Sequence, residues 1–281
     1  MRSELRKVLT GGAFAPLWDV YAAISAWDWR EWMLEGLEAG MSELAEARYL
    51  ERCRPYLARM RDMAVPKCAG GLERFLGTML CRAAQVSEAS DACDLGRERC
   101  RLIDETAEME KFLGLDCVVR TGWTRVIPKF SGGLGTGVET VAEHSVKTAF
   151  LAGLMHPEAF GWAFLMGLVH DHAELVIGDL TPGQVRDRAE KTAMECRAYD
   201  EMLVQSGLAQ NIIARLRVAF FECMEDVSRA AHCVHIADKL DMAMQALLYE
   251  QQTGICLEEF LDSSESVFRN YMLMVPSDSD L

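Results

Sequence analysis

A few polar residues set into apolar stretches carry the chemistry this sequence offers. In "LVHDHAEL" (168–175) an apolar run stops at His170 and Asp171, and His172 and Glu174 follow. "VETVAEHSVKTAFLAGLM" (138–155) places His144 ahead of a second apolar run, and "HCVHIADKLDMAMQALLYE" (232–250) sets Asp238 among Ile236, Leu240 and Met244. An ionised carboxylate in such surroundings is costly unless it is paired or bound to a metal. Two imidazoles and two carboxylates drawn from three helices suit one octahedral or near-octahedral divalent ion with water positions left open. That donor set favours Mn, Fe, Co, Ni or Zn over Ca. Such an ion lowers the pKa of bound water and supplies a hydroxide-like nucleophile. Taken one at a time, each His also reads as a hydrogen-bonded core residue and each Asp as a cap or ion-pair partner.

The elements that must position these residues read as helices, because apolar residues recur at spacings of three and four and alternation is scarce. Thr140 and Glu143 have the spacing of a capping box, so a helix is expected to begin near 141 with His144 in its first turns. If 161–182 is helical, His170 and Glu174 are i and i+4 and Asp171 and Glu174 are i and i+3, so all three approach one face or its edge. Gly178 suits the helix stop, Asp179 lies just beyond it, and Thr181-Pro182 has the form of the next helix start. Nearer the N-terminus, 15–37 carries Trp18, Tyr21 and Trp29 at helical spacing. The segment from 41 has a cap signal at Ser42 and is expected to break at Pro55, with a new helix beginning there. The stretches 70–89 and 96–114 continue the helical pattern. The N-terminal tryptophans read as helix packing rather than base stacking. Between 120 and 140 the Gly-rich "RTGWTRVIPKFSGGLGTGVET" cannot be one helix. Its "GGLGTG" follows no clear strand, so it is a flexible loop or a ligand-covering loop rather than a dinucleotide fingerprint. The fold class is all-α, and the tail "VPSDSDL" is expected to be disordered.

The bulk composition narrows the partners. The chain has 281 residues and a formal net charge of −14, which disfavours extended nucleic acid and anionic membrane, since both reward Lys and Arg. A small anionic substrate remains compatible, because a pocket can hold a cation. No run reaches the ~18 apolar residues of a membrane span, and "MRSELRKVLTGG" lacks the apolar core of a signal peptide. The 10 cysteines form no CxxC pair. They read as reduced, mostly buried thiols of a cytoplasmic protein rather than a zinc site.

Taken together, His144, His170-Asp171 and Asp238 resemble the signature of the HD-domain metal-dependent phosphohydrolase superfamily. "VETVAEHS", "HDHAELVIGDLTP" and "HIADKLDMAMQALLYE" are similar to its 5′-deoxynucleotidase branch, and "RTGW" (120–123) resembles the segment that precedes the first metal His there. The resemblance spans roughly 115–252. It implies an HD-domain helical bundle around a metal site at 115–255, with an additional helical N-terminal region (1–114) and a C-terminal helix and tail (256–281). It implies His144, His170, Asp171 and Asp238 as ligands of a divalent ion (Mn, Co, Fe, Ni, Zn or Mg). Glu174 matches the catalytic carboxylate that assists the attacking water. Asp179 matches the residue that contacts the sugar and excludes a ribose 2′-hydroxyl. Trp123, with Arg120 or Arg125, matches the contacts to nucleoside and phosphate. The loop before Glu139 is longer and richer in Gly than the family's, which makes Lys129 an alternative phosphate ligand. His172 points about 100° from Asp171 on a helix and reads as a residue behind the ligands or at the surface, and His235 as a possible fifth ligand or a member of a second metal site. The implied activity is removal of the 5′-phosphate from deoxynucleoside monophosphates by a homodimeric enzyme. The alternatives are a deoxynucleoside triphosphate phosphohydrolase, and a regulatory or binding HD protein acting through its N-terminal helices.

Overall fold

A computed structural model describes residues 3–41, 43–63, 65, 69–82, 114, 118–127, 138–180 and 187–274. The expectations placed on Ser42, on most of 83–117, on Lys129 and its Gly-rich loop, on Thr181-Pro182 and on the tail lie outside the described residues. Within them the protein is all-α, without a named strand; one isolated antiparallel bridge joins Val119 to Thr140. No helix among the described residues is long and apolar enough to cross a membrane.

The N-terminal helices are α1 (Glu4–Leu9), α2 (Ala15–Ile24), α3 (Trp29–Met41), α4 (Glu43–Met60) and α5 (Gly71–Cys81). The expected break at Pro55 does not occur: α4 runs through it. Pro55 and Glu51 are both exposed, so water can serve the Glu51 carbonyl that the missing N–H leaves without a helical donor. Among the described side chains, Trp18, Trp27 and Trp32 do pack in or against the core. Trp27 stacks on Trp32 at 3.4 Å between ring centroids and meets Phe150 edge-on, and its Nε1–H donates to the Tyr56 hydroxyl at 2.9 Å.

The centre of the molecule is built from α7 (Val141–Met155), α8 (Phe160–Val169) and α12 (Arg229–Thr253), flanked by α6 (Thr121–Val126), α9 (Glu174–Ile177), α10 (Arg188–Gln205), α11 (Gln210–Glu225) and α13 (Glu258–Met274). Every residue of α7 except Glu143 is buried. Both halves of the Thr140/Glu143 capping box are present at its start. The segment 161–182 departs from a continuous helix. α8 stops at Val169, and the next bonds are of the three-residue kind, His172 N–H to the Val169 carbonyl and Glu174 N–H to the Asp171 carbonyl. The cause is local: His170 Nδ1–H donates to the Gly167 carbonyl at 2.7 Å, the acceptor that the Asp171 N–H would use in a continuing helix. The short α9 then ends at Gly178, whose φ of 75° suits glycine.

Gly167 sets the approach of α8 to α7. A Cβ added there would lie 2.5 Å from the Ala149 Cα and 3.0 Å from its N, and a backbone cannot swing aside as a side chain can. Gly167→Ala should gain about 1 kcal/mol of helix propensity and lose about 1–3 kcal/mol to overpacking. The net expectation is a lower midpoint in thermal denaturation. A raised midpoint would contradict this close crossing.

Candidate metal centre

His144 is carried one turn into α7, where the capping box fixes the helix start. Its Nδ1 lies 2.6 Å from Asp241 Oδ2, which accepts the Nδ1–H and so turns Nε2 to the centre. His170 is oriented the same way by the Gly167 carbonyl. Its Nε2 is buried without a hydrogen-bond partner. Asp171 lies in the turn after α8, with Oδ2 3.2 Å from His170 Nε2 and 3.6 Å from His144 Nε2. Asp238 on α12 brings Oδ1 to 3.3 Å from His144 Nε2. Ligand atoms of His144, His170 and Asp238 all fall within 4.8 Å of one another. The two imidazoles are buried, whereas the side chains of Asp171 and Asp238 keep 20% and 15% of their exposure, so the set opens to solvent on the carboxylate side. A buried imidazole nitrogen converging with two carboxylates and a second imidazole fits a divalent ion.

The charged groups of the centre act on one another. Burial and Arg120 oppose a charge on His144, yet hydrogen bonds to Asp238 and Asp241 raise it to about 9. Burial pushes Asp171 and Asp238 upward, but the cationic groups around them win and hold both low, His170 chiefly for Asp171 and Lys239 for Asp238. Glu174 behaves oppositely. Burial first, then the charges of Asp171 and Asp179, lift its carboxyl well above the usual range, against Arg120 and Lys191. Its Oε2 is buried and has no hydrogen-bond partner.

The residues matched to substrate contacts divide. The Arg120 N–H donates to the Glu139 carbonyl at 3.2 Å and the Val141 N–H to the Val118 carbonyl at 2.8 Å. These bonds pin the start of α6 to the start of α7 and bring Arg120 Nη1 to 3.3 Å from Asp171 Oδ2. Asp179 joins the same corner: its Oδ2 accepts from the Thr121 N–H at 2.6 Å and its carbonyl accepts from the Thr121 hydroxyl at 2.9 Å. It therefore caps the start of α6. Arg125 turns away from the centre, to a surface pairing with Glu259 at 3.3 Å. Trp123 is a core residue. Its Nε1–H donates to Glu139 Oε2 at 3.1 Å, and Phe260 and Tyr249 lie 4.3 and 5.3 Å from its ring, so it offers no open face to a nucleoside.

His172 is buried rather than at the surface, close to Tyr199, and burial ahead of the His170 charge lowers it to about 3. His235 faces α11: its ring reaches the Cys223 carbonyl at 3.0 Å and stacks on Tyr271. That geometry gives no support to a fifth ligand.

Several residues at the centre escape a reading by motif. Asp241 has no exposed surface and orients His144. Lys147, one turn after His144, lies 3.2 Å from Asp241 Oδ1 and pairs with Glu139. Glu139, His144 and Asp241 could by themselves suggest a second cation site, but the Lys147 ammonium already supplies that charge. Arg6 does the same between Glu250 and Glu258. A signal for Asp241 and Lys147 was available, since each is a charged residue at i+3 from a candidate ligand on an apolar helix. Lys191 on α10 also acts on Asp171 and Glu174, and it carries an ion pair to Glu195 at 3.0 Å.

An all-helical scaffold that gathers His from α7, His-Asp from the end of α8 and Asp from α12 defines a class, and comparison with known proteins agrees. The HD domain matches residues 118–273. The chain belongs to the HD-domain family, on its 5′-deoxynucleotidase branch. It is 30% identical over 175 residues to 5′-deoxynucleotidase HDDC2 of Danio rerio, covering 60% of this chain and 82% of that protein. The Xenopus laevis protein of the same name is 28% identical over 162 residues, covering 54% and 74%. Among solved structures, a conserved hypothetical protein from Pyrococcus furiosus is 25% identical, with a TM-score of 0.44, over 59% of this chain and 95% of that one.

Proposed function

We propose that this protein is a metal-dependent phosphohydrolase that removes the 5′-phosphate from deoxynucleoside monophosphates. The observation that carries the proposal is the convergence of His144, His170, Asp171 and Asp238 on one point, with Glu174 close by in the chain. The relatives named 5′-deoxynucleotidase support the substrate class. A divalent ion held by these four residues would supply Lewis acidity, both to water and to the phosphoryl oxygens. The remaining work belongs to the chain. Arg120, fixed at the mouth by the pinned start of α6, binds the phosphate. Lys191 adds a second positive charge from α10. Glu174, whose proton affinity is raised, takes the proton from the water that attacks phosphorus. The bond from phosphorus to the nucleoside 5′-oxygen then breaks, the proton taken up by Glu174 passes to that oxygen, and deoxynucleoside and inorganic phosphate leave. A homodimer and a cytoplasmic setting accompany this reading, the first from the family resemblance and the second from the scattered unpaired thiols.

The test is a panel of deoxy- and ribonucleoside mono-, di- and triphosphates with Co, Mn or Mg, with every product identified. Deoxynucleoside and inorganic phosphate from the monophosphate are expected. Tripolyphosphate from a deoxynucleoside triphosphate, with the monophosphate untouched, would overturn the proposal.

Asp179 has one oxygen committed to Thr121 and one for the sugar. A carboxylate accepting the 3′-hydroxyl leaves no room for a 2′-hydroxyl, and such discrimination can reach several kcal/mol. Asp179→Ala should therefore cut the deoxy-over-ribo ratio of kcat/KM by about 10-fold or more. Loss of the cap alone would disturb Arg120 and lower both substrates together, so an unchanged ratio would reduce Asp179 to a cap.

A further inference from the structure

The family match begins at residue 118, yet the hydrogen bonding behind the metal centre starts much earlier in the chain. Tyr21 on α2 is fully buried and directs its hydroxyl to Asp241 Oδ1 at 2.5 Å. Asp241 is also fully buried, and its other oxygen, Oδ2, takes the Nδ1–H of His144. Lys147 completes the group, with its Nζ 3.0 Å from the Tyr21 hydroxyl and 3.2 Å from Asp241 Oδ1. One carboxylate thus receives a phenol and an ammonium on one oxygen and a candidate metal ligand on the other.

We propose that Tyr21 is a positioning residue for the metal centre, supplied by the N-terminal helical region and acting on His144 through Asp241. A carboxylate free to rotate could offer His144 either oxygen, or neither in line. With Oδ1 fixed by two donors, Oδ2 is held at Nδ1, and the imidazole is held in the tautomer and rotation that turn Nε2 to the centre. Water cannot replace the phenol, because neither Tyr21 nor Asp241 has exposed surface. The N-terminal region is then a structural part of the site, and the HD-matched segment alone lacks one of its supports.

This inference rests on the metal-site reading, and the test separates the two. Cobalt affinity of the full chain is measured by calorimetry, and the ligand field by the visible absorption of the cobalt-loaded protein. Tyr21→Phe keeps the ring and removes the hydroxyl. It should weaken cobalt binding by about 10-fold, the low end for partners that orient metal ligands, and shift the absorption bands. Packing alone would move neither readout. Asp241→Asn should weaken binding further, and adding Tyr21→Phe to it should cost little more, because the route through Asp241 is already cut. Unchanged affinity and spectrum in Tyr21→Phe, with wild-type protein binding cobalt normally, would overturn the inference and leave the metal site standing. Full additivity in the double variant would overturn the route through Asp241. Should Tyr21→Phe not fold, Tyr21→Leu and Tyr21→Met, which bring no hydrogen-bond donor and fit within the same space, replace it under the same criterion. Wild-type protein that binds no cobalt would remove the metal-site reading, and this inference with it.

Discussion

Asp238→Ala should abolish both stoichiometric metal and turnover. Asp238 is the candidate ligand supplied by α12, with Oδ1 3.3 Å from His144 Nε2. Its loss leaves His144, His170 and Asp171, with one carboxylate instead of two to offset the charge of a divalent ion. Activity should fall by at least about 10³-fold, since the Lewis acid itself is lost. Metal content by elemental analysis after gel filtration and steady-state phosphate release are the two readouts. A variant that keeps a full equivalent of tightly bound metal would show that Asp238 is not a ligand.

Glu174→Ala should separate metal from chemistry. The residue opens α9, one turn past His170, and its buried carboxyl has one oxygen with no hydrogen-bond partner. It should keep the metal and lose about 10²–10⁴ in kcat, the scale of positioned proton transfer. Glu174→Gln should lose as much, because it keeps the shape but cannot take the proton. Loss of metal together with rate would make Glu174 a ligand instead.

The parts of this site that were legible from sequence share a physical cause: each is a polar group where an apolar helix gives it no other reason to be. His144, His170, Asp171 and Asp238 stood out in that way, and the family resemblance then assigned them as ligands. The Thr140/Glu143 capping box and the stop at Gly178 were readable because short-range hydrogen bonding and φ are local properties. What failed depended on side-chain, solvent and long-range contacts that a periodic pattern does not carry. The helix break at 170 follows from a side chain taking a backbone acceptor, and periodicity does not register that competition. Pro55 was expected to end a helix, and solvent on its exposed face removed the reason. Trp123 carries the motif position of a nucleoside contact, but Phe260 and Tyr249, over a hundred residues away in sequence, enclose it. Asp241 and Lys147 obey the same rule that revealed Asp238, and the rule was not applied far enough. Tyr21 had no sequence signal, because its role exists only where α2 meets α7 and α12.

The central claim is that His144, His170, Asp171 and Asp238 hold one divalent ion. Anomalous diffraction from cobalt-loaded crystals, recorded on both sides of the cobalt edge, tests it most directly. The account predicts a peak about 2.0–2.3 Å from a nitrogen of each imidazole and an oxygen of each carboxylate. Peaks confined to other positions, such as the acidic cluster at Glu250 and Glu258, with none at these four residues, would contradict it.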